Sequence, residues 1–180
     1  YRGQVKAPRR LGMNPSLELR PGIYTHWEKM KQRGRKLPAA VVLGAPPCIA
    51  FASAQKVPES LDELHVAGAL VGMPINVVKA KTVDLLVPAE AEIVIEGLID
   101  TEYLEPEAPF GESHGHVNLQ EYNAFMEVTA ITRRKNAILT SIISQVTPSE
   151  SSLIKRVALE PLFTDFLRNT LAIRGVKRVS

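Results

Sequence analysis

The fold class this sequence predicts is α+β, an antiparallel barrel with flanking helices. Three observations predict it. Short β-branched runs separated by turn signals fill the stretch from residue 75 onward. A few helices are marked by capping signals between them. No Gly-x-Gly-x-x-Gly follows any strand candidate, and a doubly wound nucleotide-binding sheet would need those glycines.

Taken in order, residues 6–22 carry Pro8, Gly12, Pro15, Pro21 and Gly22, which interrupt the backbone too often for a long element and read as a loop. A short helix is expected over residues 26–33, ended by Gly34. Residues 39–43 form an apolar run of strand length that stops at Gly44, as a strand buried on both faces would. Residues 46–54 read as a helix with proline near its start. Ser60-Leu61-Asp62-Glu63 has the spacing of a capping box, and its helix runs through Leu70 to stop at Gly72-Met73-Pro74. Strands are expected at 75–79, 83–87 and 92–97. Residues 125–132 and 138–144, separated by the basic turn Arg133-Arg134-Lys135-Asn136, suggest a hairpin. Thr147-Pro148-Ser149-Glu150 is a second capping box, and residues 176–180 read as a strand cut mid-course.

Composition narrows the class of function. The chain has 180 residues, 45% hydrophobic and 23% charged, which suits one globular domain with a core of its own. No apolar run reaches the roughly 18 residues that span a bilayer. The net charge of +3 is mild, and the basic groups at Arg9 and Arg10, at 29–36 and at 133–135 lack interleaved aromatics, which argues against a nucleic-acid partner. Cys48 is the single cysteine, so no internal disulfide forms and a cytoplasmic location is expected. It sits in an apolar run and reads as a small buried hydrophobe. The opening Tyr1-Arg2-Gly3-Gln4 lacks an initiator methionine, and the chain is expected to be truncated at both ends.

The densest chemistry lies in Glu105-Pro106-Glu107-Ala108-Pro109-Phe110-Gly111-Glu112-Ser113-His114-Gly115-His116. Glu107 and Glu112 flank a Pro-Phe-Gly stretch that, as a turn, would fold both carboxylates towards one point. Carboxylates gathered in a partly apolar pocket have at least one pKa raised, which yields an acid able to donate a proton near neutral pH. An acidic surface loop is the plainer alternative for the same residues.

Glu-Ala-Pro-Phe-Gly-Glu is similar to the Glu-Gly-Pro-Phe-Gly-Glu signature of the UbiD decarboxylases, with alanine in place of the usual glycine. Further resembling blocks stand in family order: Glu63 with Gly68-Ala69-Leu70, Val78-Lys79, Thr82 through Ala89, and Glu92 through Gly97. Tyr1-Arg2-Gly3-Gln4 resembles the family's Tyr-Arg-x-Gln strand. The resemblance covers nearly the whole chain and implies the central cofactor-binding domain, residues 1–180, with a split β-barrel of the flavin-reductase type.

By that resemblance the catalytic network is Arg2, Glu107 and Glu112, with Glu112 the proton donor and Glu107 its partner. A guanidinium can hold one carboxylate ionised while the other cycles its proton. The cofactor implied is prenylated FMN, supplied by a UbiX-type flavin prenyltransferase, with the ring as electron sink. Arg2, Ser53 and Pro58 are implied at the cofactor. His26 and Glu63 match the family's ligands for manganese, with potassium beside it, although for Glu63 the capping box is a competing use. The implied reaction is reversible decarboxylation of an aromatic or α,β-unsaturated acid by a homo-oligomer without a membrane span. Two rival functions are a non-catalytic flavin-binding or assembly subunit of a carboxylase complex and a flavin reductase of similar barrel fold. The family often carries an aromatic residue near the position of His116, and for His114 and His116 either proton traffic, substrate contact or simple surface exposure fits.

Overall fold

The computed structural model describes residues 3–13, 22–53, 57, 60–112, 114–118, 122–144 and 146–179, apart from the side chains of residues 118 and 158. Along the chain these form β1 (Gly3–Ala7), β2 (Arg10–Met13), α1 (Gly22–Gln32), β3 (Leu37–Leu43), α2 (Pro47–Ser53), α3 (Glu63–Val71), β4 (Val77–Lys79), β5 (Leu86–Pro88), β6 (Ile93–Ile99), β7 (Phe110–Gly111), β8 (Val117–Asn118), β9 (Ala124–Arg133) and α4 (Glu150–Asp165), which runs on into a π-helical turn at Phe166–Thr170.

The α+β class and its antiparallel character hold. Five strands pair antiparallel in the order β1-β2-β9-β6-β3, and β4-β5 and β7-β8 form separate ribbons. Among the described residues the sheet does not close: β1 and β3 end the order at opposite edges, and the two ribbons pair only within themselves. A closed barrel is therefore absent from this part of the molecule.

The strand β3 is packed on both faces, as its continuous apolar run requires. Leu37, Ala39 and Val41 meet the main core of Met13, Trp27, Ile99, Ala124, Met126 and Val128. Ala40 and Val42 face the other way, onto Val87, Ala91 and Val94. Alternation with period two thus sends one strand's side chains into two clusters.

Several sequence expectations shift. Residues 138–144 are not a strand; β9 pairs with β2 over Ala124–Glu127 and with β6 over Met126–Arg133. Ile138 N–H instead donates to Glu92 Oε2 at 3.1 Å. The loop expected at 6–22 contains the end of β1 and all of β2, joined by a turn at Pro8 and Arg9. The strand expected at 83–87 begins at Leu86, since the residues before it wrap around a buried carboxylate. Asp62, not Ser60, caps α3, accepting from Leu64 N–H at 2.7 Å, and Gly72 closes it in the left-handed region at φ 71°. Ser149 caps α4 in a box with Ser152, two residues beyond the expected start. Residues 176–179 are irregular, with Val176 and Lys177 carbonyls accepting from Arg168. No helix among the described residues is long and apolar enough to cross a membrane.

That buried carboxylate is Glu96, 1% exposed, in the middle of β6. It accepts from Lys81 N–H at 2.9 Å, Thr82 N–H at 2.6 Å and the Thr82 hydroxyl at 2.8 Å. Burial alone would raise its pKa, but the amides of Lys81, Thr82 and Val83 with the Thr82 hydroxyl together hold it below the ordinary 4.5. A bulge beside Glu96 leaves Thr129 opposite no partner and aims its hydroxyl at Thr82, 2.6 Å away. Gly97 is required there: a Cβ would lie 2.4 Å from the Glu127 carbonyl oxygen.

Because the folded pKa lies below the unfolded one, the ionised carboxylate stabilises the fold above pH 4.5 and loses that effect as pH falls through the folded value. Glu96→Gln in the complete protein should cost about 1–3 kcal/mol at neutral pH, because its NH2 faces donors. It should also flatten part of the acid dependence. Urea midpoints measured from neutral to acid pH check both; equal midpoints for variant and wild type would contradict the role.

Candidate functional site

The segment that carries the two glutamates starts where β6 ends. Asp100 Oδ1 accepts from Glu102 N–H at 2.9 Å and Tyr103 N–H at 2.8 Å, a turn geometry that aspartate favours. Burial pushes its carboxyl up, but those amides and the Lys36 ammonium at 3.2 Å outweigh it and hold the pKa below the usual range. The Asp100 carbonyl accepts from the indole N–H of Trp27 at 2.9 Å, which ties α1 to the same corner. Thr101, also buried, donates to the Arg35 carbonyl at 3.2 Å.

From there residues 103–108 are held by the strand side. Glu105 and Asn123 exchange both backbone bonds at 2.8 Å as an isolated antiparallel bridge. The Glu105 carboxylate pairs with Arg10 at 2.9 Å, and that guanidinium lies 3.8 Å from the Phe125 ring centroid, with Tyr103 edge-on to the same ring. Lys6 Nζ donates to the Pro106 carbonyl at 2.7 Å. Gln4 makes two bonds to Ala108, its NH2 donating to the carbonyl and its Oε1 accepting from the N–H, both at 3.0 Å. Glu107 lies between these last two fastenings and is 6% exposed.

Pro109-Phe110-Gly111 is not the expected turn. Phe110 and Gly111 form β7 and pair with Asn118 and Val117 of β8, so the chain is extended between Glu107 and the reversal. The reversal comes at 112–116: Glu112 N–H donates to the His116 carbonyl at 2.9 Å and Gly115 N–H to the Glu112 carbonyl at 3.0 Å, with Gly115 at φ 89°. Glu112 thus stands at the mouth of a hairpin loop and is half-buried. His114 and His116 are exposed on that loop, their rings 5.3 Å apart.

The remaining candidates lie on helices. His26 is exposed on α1, next to the buried anchor Trp27. Glu63 is the first residue of α3 and exposed, and because Asp62 caps that helix, the carboxylate of Glu63 is not the one used in capping. Ser53 ends α2, its hydroxyl donating to the Ala50 carbonyl at 2.8 Å. Arg2 and Pro58 lie outside the described residues. Imidazole and carboxylate are suitable donors for a manganese-class ion that draws its other ligands from elsewhere. Among the described residues no three His, Cys, Asp or Glu groups come together to hold a metal by themselves.

Residues 1–146 match the family described as "UbiD: 3-octaprenyl-4-hydroxybenzoate carboxy-lyase Rift-related domain". The chain belongs to the UbiD family. A relative from a Synechocystis species, the uncharacterized protein sll0936, is 34% identical over 147 residues, 82% of this chain and 29% of the relative. Among solved structures, the UbiD-class enzyme HmfF from Pelotomaculum thermopropionicum in complex with FMN is 35% identical with a TM-score of 0.82, over 92% of this chain and 36% of that one. An evolved dimeric form of HmfF in complex with prFMN gives 34% and 0.83. The closed form of vanillic acid decarboxylase from Sedimentibacter hydroxybenzoicus gives 28% and 0.86, over 96% of this chain. This UbiD-family chain therefore spans about a third of the length of these relatives.

Gln4 falls within the Tyr1-Arg2-Gly3-Gln4 resemblance but without a role there, and Lys6 and Arg10 lie in no motif, although all three fasten the glutamate segment. For Gln4 and Lys6 the signal was parity, since they alternate along β1 and share a face. The capping geometry yields a direct check. Asp62→Ala should lower stability by about 0.5–2 kcal/mol through the lost cap, whereas Glu63→Ala should lower it by less. Thermal melts of both variants decide; a larger loss for Glu63→Ala would restore that residue to the cap.

Proposed function

We propose that this UbiD-family domain holds prenylated FMN and the proton-transfer residues of a reversible decarboxylase acting on an aromatic or α,β-unsaturated carboxylic acid. The observation that carries the reading is Glu107, a carboxylate 6% exposed on a segment fastened at both of its neighbours, within the region matched to the family. Glutamate is rarely buried this deeply, which marks Glu107 as a side chain the fold has placed rather than left on the surface. The relatives bound to FMN and prFMN support the cofactor.

In this reading Glu112 gives the proton that replaces carbon dioxide, from the mouth of the 112–116 loop where solvent can restore it. Glu107 is its partner and Arg2 the guanidinium that keeps one of the two ionised; in the sequence Arg2 has the parity of Gln4 and Lys6. Prenylated FMN, when bound, supplies the electron sink for the carbanion left by decarboxylation. Ser53 and Pro58 would contribute to holding the cofactor, and His26 with Glu63 would supply an imidazole and a carboxylate to a manganese ion, with potassium as a further cation, whose charge would offset that of the cofactor phosphate. A UbiX-type prenyltransferase provides the cofactor, the protein works in the cytoplasm, and the dimeric relative supports a homo-oligomer. Either rival, a flavin reductase or a non-catalytic subunit, has no need for Glu107 and Glu112 together.

Glu112→Gln in the complete protein should lower turnover by about a hundred- to ten-thousand-fold while flavin content stays at the wild-type level. Carbon dioxide release and the flavin spectrum measure the two; activity within threefold of wild type would remove Glu112 from the mechanism. His26→Ala and Glu63→Ala should each lower manganese and flavin content together, as read by metal analysis and absorbance of the purified protein. Full metal occupancy in both variants would refute their assignment.

A further inference from the structure

We propose that Gln4 is a positioning residue for the two glutamates, and that its side-chain amide does for residues 106–109 what a neighbouring strand does elsewhere in the sheet. The inference rests on the roles given above to Glu107 and Glu112 and goes beyond them to what holds those carboxylates in place.

The segment has an unusual backbone. Pro106 and Pro109 have no N–H, so between them only Glu107 and Ala108 can donate, and no ordinary ladder can form. Gln4 answers with a planar amide that donates to the Ala108 carbonyl and accepts from the Ala108 N–H, both at 3.0 Å. That reciprocal pair reproduces one rung of an antiparallel sheet. Lys6, two residues along β1 and on the same face, donates to the Pro106 carbonyl at 2.7 Å. Glu107 is therefore held through both neighbours, and its buried carboxylate takes its direction from β1. The opposite strand makes room for this: Gly12 pairs with Gln4, and a Cβ on Gly12 would stand 3.1 Å from the Lys6 chain.

The chemistry of position 4 is narrow. Glutamate could accept from Ala108 N–H but would set a negative charge against the Ala108 carbonyl and near Glu107. Methionine keeps the length and makes neither bond. At position 6, arginine keeps a donor for Pro106 and methionine does not.

The test uses the complete protein loaded with flavin, with Gln4→Met, Gln4→Glu, Lys6→Met and Lys6→Arg beside Glu112→Gln. A small displacement of a reacting group lowers rate steeply, so Gln4→Met should reduce kcat about ten- to a hundredfold with KM and flavin content near wild type. Gln4→Glu should move the carboxylate limb of the pH–kcat profile to higher pH, because an added negative charge disfavours ionisation of Glu107. Lys6→Arg should restore most of what Lys6→Met loses. Hydrogen exchange at the Ala108 amide should quicken in Gln4→Met, a readout that needs no turnover. If Gln4→Met and Gln4→Glu keep kcat within twofold, the pH limb unmoved and Ala108 protected, while Glu112→Gln is inactive, the positioning role is wrong and the site reading stands. An active Glu112→Gln would overturn the site reading, and the proposal with it.

Discussion

The pairing of β6 between β3 and β9 is the constraint on which the rest of the structure depends. Held on both edges, β6 presents two carboxylates at fixed places, Glu96 at its middle and Asp100 just past its end. Each gathers backbone amides from a stretch that has no strand partner of its own. Glu96 collects those of residues 81–83 and so sets where β5 begins, while Asp100 collects those of Glu102 and Tyr103 and launches the segment that carries Glu107. The sheet thus organises its loops by charge-assisted hydrogen bonds, which are stronger than neutral ones and tolerate little error in direction.

The bulge beside Glu96 links these effects. A regular register would place Thr129 opposite a β6 residue; the extra residue instead turns its hydroxyl to Thr82 and to the Glu96 carbonyl. Gly97 permits the tight approach of β9 that this requires. Packing and polar satisfaction are joined at this point, since the same strand that closes the main core through Ile99 also holds a buried charge.

The glutamate segment is built on a different rule. It crosses side chains of β1 and β2 rather than a strand edge, and Gln4, Lys6 and Arg10 replace the missing ladder one bond at a time. Proline-rich backbone is stiff but poor in donors, so such a segment is easily directed yet contributes little pairing of its own. Glu112, beyond β7, lies outside this fastened stretch at the mouth of a loop. The proposed role of Glu112 as proton donor suits such a half-exposed place, where solvent can reload it, better than a sealed one.

The sequence by itself determined the local features whose causes are local. The β3 run, Gly34 and Gly72 as helix stops, the helix at residues 47–53 and the Glu-Ala-Pro-Phe-Gly-Glu motif with its family were all legible, because apolar period, left-handed glycines and motif spacing lie within a few residues of one another. Tertiary structure decided everything that depended on competition for partners. Residues 138–144 have strand composition but give Ile138 N–H to Glu92 rather than to β9, Val83 has β propensity but is drawn towards Glu96, and the box at Ser60 loses α3 to Asp62. Pro-Phe-Gly reads as a turn in isolation and is extended because β8 pairs with it. The fastening of Glu107 by Gln4 spans more than a hundred residues of sequence, and no pattern within either segment announces a bond made only when the sheet brings them together.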